Sequence, residues 1–247
     1  MAALSARGGA ALSGNRLLDR LPVADQARVR QGMALARGEM RSVLLATGAV
    51  IQSVYFPVDA VVSSLTTMSD GAGVEILTIG NEGMVGSPLL LGSTKMSERE
   101  FCQVQVPGKL WRLDASIFRD EIARGGAFGE MVQLYIQGLF SQITQQVACN
   151  GLHSVNERCS RWLLLTHDRV NADEFPLTHE FLSQMLGVRR ASVSLAAAAL
   201  QNAGIIRYRL GRITVIDREG LEATACECYR VIRDEYDRLL GSPPPRP

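Results

Sequence analysis

The chain has 247 residues, enough for two modest domains with cores of their own. Its 47% hydrophobic and 21% charged content is that of a soluble globular protein. A formal net charge of +1 excludes a bulk polycation that coats nucleic acid regardless of sequence, so any basic function must be local. That local charge is arginine, since Lys95 and Lys109 are the only lysines.

Residues 1–14 read as a small, polar tail without the apolar centre of a signal peptide, and the proline-rich residues 241–247 as a second tail. No apolar run approaches the roughly 18 residues that span a bilayer. A cytoplasmic location without a membrane partner is therefore the expectation. The five cysteines (Cys102, Cys149, Cys159, Cys226 and Cys228) are odd in number and scattered, which fits a reducing compartment rather than a disulfide framework.

Residues 15–31 have helical spacing through Leu17, Leu18, Leu21 and Val29, interrupted at Pro22. From about 40 to 113 the pattern is β: short β-branched segments at 42–46, 50–56, 60–68 and 74–79, punctuated by Gly48, Asp70, Gly71, Gly80 and Gly83. Cys102, Val104 and Val106 alternate with Gln103 and Gln105, the period of a half-buried strand, and residues 108–114 form another. Regular short strands with turn signals predict a small antiparallel barrel or roll over residues 15–126.

Residues 127–150 predict one long helix with apolar residues on more than one side, among them Phe128, Val132, Tyr135, Leu139, Phe140, Ile143 and Val147. Such a helix must pack on its own domain and on something else, most simply its copy in a homodimer.

Residues 151–240 predict the reading unit. Thr178 caps a helix with Phe181, Leu182 and Met185 inward, Gly187 turns the chain, and Val188 plugs the corner. A second helix from about Arg189 turns Val193, Ala196, Ala197 and Leu200 inward and ends at Gly204. Arg189, Arg190, Ser192 and Ser194 occupy the outward face of its first turns, the helix-turn-helix position that reaches base edges. Two β-branched runs around Leu210 and Gly211 then form a hairpin with Arg207, Arg209 and Arg212 near its tip, placed to pair with phosphates. A final amphipathic helix over 221–240 is expected to pack back on this domain.

No nucleophile–base pair and no phosphate-cradling loop is present, so no catalytic residue is assigned and the chain is not expected to be an enzyme. Cys149 and His153 with Cys159, and Cys226 with Cys228, have spacings reminiscent of metal ligands. Paired cysteines do not repeat at fixed offsets, so all five are read as small buried apolar residues, with no metal and no cofactor expected. His167 and His179 are read as surface or capping groups.

A β-roll, a long helix and a winged helix-turn-helix in this order resemble the CRP/FNR superfamily of transcription regulators, over nearly the whole chain. The glycine-punctuated segment 70–86, the Cys149–Asn150 pair and residues 160–165 mark a branch whose effector the resemblance does not imply. The resemblance implies an α+β fold: β-roll sensor over 15–126, dimerisation helix over 127–150, and winged reader over 151–240. Cyclic-nucleotide-binding members carry a Gly–Glu pair and later an Arg–Ser or Arg–Thr pair in the roll. Here the first reads Gly86–Ser87, followed by Pro88, and the second falls near Glu98–Arg99. A glutamate at a phosphate position repels an anion. Arg99 one residue along leaves Gly86, Ser87, Lys95 and Arg99 as the effector-binding candidates. The iron–sulfur branch uses N-terminal cysteines, and this chain has none before Cys102. On the reading helix Arg190 matches the relatives' arginine, whereas Ala191 and Leu195 stand where many carry a glutamate and a second arginine.

The reading that follows is a homodimeric, sequence-specific transcription regulator. Its partners are a palindromic double-stranded DNA operator and, further on, RNA polymerase. Its effector is unidentified or dispensable. The alternative is a ligand-binding sensor that docks on a protein instead of DNA.

Overall fold

The computed structural model describes residues 13–170 and 172–242; both expected tails lie mostly outside the described residues. Ser13, assigned to the first tail by its sequence, is instead packed, with Trp111 Nε1 donating to its carbonyl at 3.0 Å. Asn15 caps α1 (Arg16–Asp19) and is itself fully buried, its side-chain amide donating to the carbonyls of Pro57 and Gly83. Pro22 ends that run and opens α2 (Val23–Gln31), as a residue without an N–H can at a helix start.

Seven strands follow: β1 (Met33–Gly38), β2 (Val43–Leu45), β3 (Ser53–Pro57), β4 (Val61–Thr67), β5 (Gly73–Ile79), β6 (Glu100–Val106) and β7 (Gly108–Asp114). They form two antiparallel sheets, one in the order β1-β7-β3 and the other β2-β6-β4-β5. Val54, Phe56, Val62, Leu65 and Val104 fill the space enclosed between them. Only β1 is unannounced, because its alanines and exposed Leu35 lack alternation; pairing with β7 imposes the strand.

Asp114 caps α3 (Ala115–Arg124), and α4 (Ala127–Leu152) crosses the roll, with Phe118 and Phe128 meeting edge to face at 5.8 Å. The remaining elements are α5 (Val155–Arg169), β8 (Glu174–Pro176), α6 (His179–Leu186), α7 (Arg190–Asn202), β9 (Ile206–Arg209), β10 (Arg212–Val215), α8 (Arg218–Thr224) and α9 (Cys228–Leu240). The last two replace the single expected helix: the chain extends at Ala225 (ψ 153°) and restarts at Cys228. The second piece packs chiefly along α4 rather than on the reading unit. Tyr236 covers Gly138, where a Cβ would lie 2.7 Å from its ring, and its hydroxyl donates to Gln142 Oε1 at 2.9 Å. One apolar side of the long helix is thus covered by the chain itself. The other bears Gln133, Gln137, Phe140, Thr144 and Val147 outward at four- and three-residue intervals, and Phe140 and Val147 remain 61% and 69% exposed.

Roll and reading unit share a buried polar seam. Arg169, at the end of α5, pairs with Glu82 at 2.8 Å, both side chains 5% exposed. Arg169 also donates to the Leu165 carbonyl, and the Gly80 N–H to Glu82. Beside them Glu75 of β5 is contacted by Ser63, Thr78 and the Trp162 indole N–H of α5 at 2.5, 2.9 and 2.8 Å. Burial raises the Glu75 carboxyl above its ordinary range against those hydrogen bonds. Gln105 continues the seam to Thr166 at 3.1 Å. His167, expected at the surface, is 3% exposed here, held by Asp173 and Arg218 at 2.8 Å each.

Removing one partner of a buried ion pair strands the other charge. Arg169→Met should cost about 3–5 kcal/mol in denaturant unfolding, and Arg169→Met with Glu82→Leu should recover most of it. A double variant no more stable than the single would show that the pair is not the origin of the loss.

Candidate nucleic-acid interface

The reading unit is set by its turn. Thr178 Oγ1 accepts the Phe181 N–H at 3.1 Å, so α6 begins where the sequence predicts. Gly187 ends it with φ +63°, and Val188 folds under the corner, its N–H donating to the Ser183 carbonyl at 3.0 Å. The bend leaves α7 starting at Arg190 with Val193, Ala196, Ala197 and Leu200 buried. Arg189, Arg190, Ala191, Leu195, Ala198 and Ala199 face outward, and Leu195 is 73% exposed.

The wing follows the same local logic. Leu210 (φ 49°) and Gly211 (φ 73°) are both left-handed, the requirement of a type I′ two-residue hairpin. Arg207 and Arg209 then share one exposed face of β9. Arg212 sits directly opposite Arg209, where two like charges repel, and turns away to Glu174 of β8 at 2.5 Å. Ser194 also turns inward: its hydroxyl meets His179 Nδ1 at 3.0 Å, and that imidazole stacks on Tyr208 at 4.3 Å. Burial, and then the charge of Arg190, lower the His179 pKa and favour the neutral ring. The cluster fastens α6, α7 and β9 together.

Of the seven residues assigned to DNA, Arg189, Arg190, Arg207 and Arg209 are exposed. Ser192 is half-buried, and Ser194 and Arg212 are engaged within the protein. Glu180 lies 3.9 Å from Arg190, so an acid does approach this face, contributed by α6 rather than α7.

Residues 157–224 match the Crp-like helix-turn-helix domain family. The chain carries that DNA-binding domain within the CRP/FNR fold. Among solved structures, a putative CRP/FNR-family transcriptional regulator from Eubacterium rectale is 14% identical, covers 86% of this chain and 99% of its own, and superposes with a TM-score of 0.65. FixK2 from Bradyrhizobium japonicum is 16% identical, covering 78% and 98%, also with a TM-score of 0.65. A CRP-family transcriptional regulator from Thermus thermophilus is 17% identical, covering 77% and 96%, with a TM-score of 0.64. No curated protein matches the chain in sequence. The CRP/FNR type is one of transcription regulators and not a class of enzymes. Among the described residues no helix is long and apolar enough to cross a membrane.

The CRP/FNR roll here does not assemble the four effector candidates. Gly86 and Ser87 border a small cavity inside it, with Leu45, Ile79, Met96 and Leu139. Lys95 and Arg99 are exposed and do not line it, and the charged residue that does is Glu100. An acid beside apolar walls repels the anion those cations were expected to hold.

The cysteines gather unexpectedly. Cys149 and His153 at the end of α4 meet Cys226 and Cys228 from the α8–α9 break, whereas Cys159 stays in the main core. Hydrogen-bonded with Cys226, and with the charge of Arg161 nearby, Cys149 has its thiol pKa lowered. Sequence spacing contained both halves of this cluster, Cys149 with His153 and Cys226 with Cys228. Only the break at Ala225 and the packing of α9 on α4 join them.

Gly187→Ala should cost about 1–2 kcal/mol, because a side chain at that positive φ is strained and its Cβ would press 3.0 Å against Val74. Thermal unfolding measures it, and an unchanged midpoint would remove the turn from its controlling position.

Proposed function

We propose that the protein is a cytoplasmic homodimeric regulator that binds a palindromic DNA site and controls transcription from it. The observation that carries this reading is the exposure of Arg189 and Arg190 at the start of a helix-turn-helix second helix, with Arg207 and Arg209 of the wing that follows it also exposed. With α7 in the major groove, Arg190 donates bidentately to guanine, and Ala191 and Leu195 offer apolar contacts suited to a thymine methyl. Arg207 and Arg209 pair with phosphates alongside, supplying affinity and register. Ion pairing of Arg212 with Glu174 leaves it a lesser role, since phosphate must first compete for it.

The exposed Phe140 and Val147 of α4 support the dimer. Their four-and-three spacing is that of a coiled-coil seam, and two copies joined there would present paired reading helices to half-sites about 34 Å apart. The roll then acts as scaffold, or as sensor of a small, largely apolar effector in its cavity. RNA polymerase is the further partner of such a regulator.

Selection of genomic fragments by the purified protein tests the reading. Recovery of a shared palindrome is expected. Failure of the folded protein to bind DNA at any salt concentration would sink it in favour of a sensor that docks on protein. Arg190→Ala should lose discrimination at one base pair, about 1–3 kcal/mol. Arg209→Ala should instead weaken all sequences alike and reduce the salt slope by about one. In sedimentation, Val147→Glu should shift the protein from dimer to monomer; an unchanged dimer would place the interface elsewhere.

A further inference from the structure

We propose that Cys149, His153, Cys226 and Cys228 form a closed tetrahedral site for one divalent zinc-class ion, which staples the end of α4 to the start of α9. The four ligand atoms all lie within 4.8 Å of one another. Cys149 Sγ and Cys226 Sγ are 3.5 Å apart, and Cys228 Sγ and His153 Nδ1 3.4 Å. A tetrahedron with zinc–sulfur bonds of about 2.3 Å and zinc–nitrogen bonds of about 2.0 Å has edges of about 3.8 and 3.5 Å. The donors thus stand close to their bonded separations before any ion draws them in. They are too close together to surround the several atoms of an iron–sulfur cluster.

The surrounding groups suit a metal better than a cluster of small apolar residues. His153 turns Nδ1 to the sulfurs while Nε2 lies 3.2 Å from the Glu227 carboxylate. That is the arrangement in which a ligating imidazole donates its second N–H to a carboxylate, which fixes its tautomer. Gln145 Nε2 donates to Cys228 Sγ at 3.1 Å, as an amide does to a thiolate. Three thiolates, one imidazole and a divalent ion carry one net negative charge. Arg158 and Arg161, 8% and 1% exposed, supply compensating charge, and both act electrostatically on Cys149. Their Nε atoms and Arg161 Nη2 have no hydrogen-bond partner among the described residues, although Arg161 also acts on Glu75. Buried guanidinium without an anion is costly, and a metal–thiolate centre provides one.

The same site accounts for the break between α8 and α9. In a continuous helix, residues two apart diverge by about 200° and could not both face one ion. Extension at Ala225 turns Cys226 and Cys228 together towards α4, where Cys149 and His153 already share a face four residues apart. The closed set of protein ligands leaves no position for substrate, so the ion is structural. It would brace the two-residue joint, His153–Ser154, through which α4 enters the reading unit.

Elemental analysis of the full chain, purified without metal-affinity resin, should find equimolar zinc. Cobalt substitution of the chelated protein should give intense tetrahedral ligand-field bands and sulfur-to-cobalt charge transfer. Cys226→Ser with Cys228→Ser should abolish both, and Glu227→Gln should weaken metal affinity by about 10–100-fold without touching a sulfur. Folded wild-type protein that holds no metal and gives no cobalt bands would overturn the site. So would metal retained in full by the double serine variant, a Cys149–Cys226 cross-link in the metal-free purified protein, or an acid-labile sulfide chromophore. Should the double variant not fold, cobalt titration of the wild type decides alone, through the number of thiolates in its charge-transfer intensity.

Discussion

The buried pairing of Arg169 with Glu82 governs much of this structure, because it lies where two units built from different sequence patterns must become one. Taking two charges out of water is expensive, and attraction alone does not compensate unless hydrogen bonds complete both partners. Here they do: the Leu165 carbonyl and the Gly80 N–H take up the remaining capacity. The neighbouring Glu75 relies on the same principle, with a hydroxyl pair and an indole N–H around it and the charge of Arg161 acting on it. Polar seams of this kind are poor sources of stability but strong sources of geometric definition. Any slip of α5 against β5 would leave several buried groups unsatisfied at once.

That definition reaches the reading surface through contiguous contacts. Trp162 and Arg169 lie on α5, whose Arg158 bonds the Leu186 carbonyl at the end of α6. Gly187 lies against Val74 of β5. The α6–α7 turn is therefore held from both sides, by α5 and by the roll. Reorienting the arginines of α7 would require a change at the seam rather than a swing on a free linker. A ligand in the roll can alter the reader only if it favours one arrangement of that seam over another.

The reading unit was the most legible part of the chain, because each of its turns depends on local chemistry: Thr178 as cap, Gly187 with positive φ, Leu210–Gly211 as hairpin tip. The roll was legible in outline, and it hid β1, whose character comes from its partner β7 and not from its own residues. Individual side-chain destinations were less legible. Arg212 and Ser194 follow the helical and strand periods that predict outward faces, but Glu174 and His179, remote in sequence or on another element, capture them. The effector candidates lie apart for a related reason: a residue's place in an aligned motif does not say which way an irregular loop carries Lys95 and Arg99. The cysteine cluster is the extreme case. Seventy-odd residues separate its halves, and their meeting depends on α9 lying along α4, which periodicity alone assigned to the wrong neighbour.

Arg16, at the start of α1, bonds Asp237 at 2.7 Å and also the Gly241 carbonyl. The first and last described helices are thus clasped beside the roll, far along the chain from the α7 surface. A fluorophore or fusion partner attached after residue 242 would emerge beside α1 and the roll. Joining the ends and reopening the chain at an exposed turn would likewise preserve the order of packing, so the architecture is closer to a closed loop of elements than to a sensor with a reader trailing behind it.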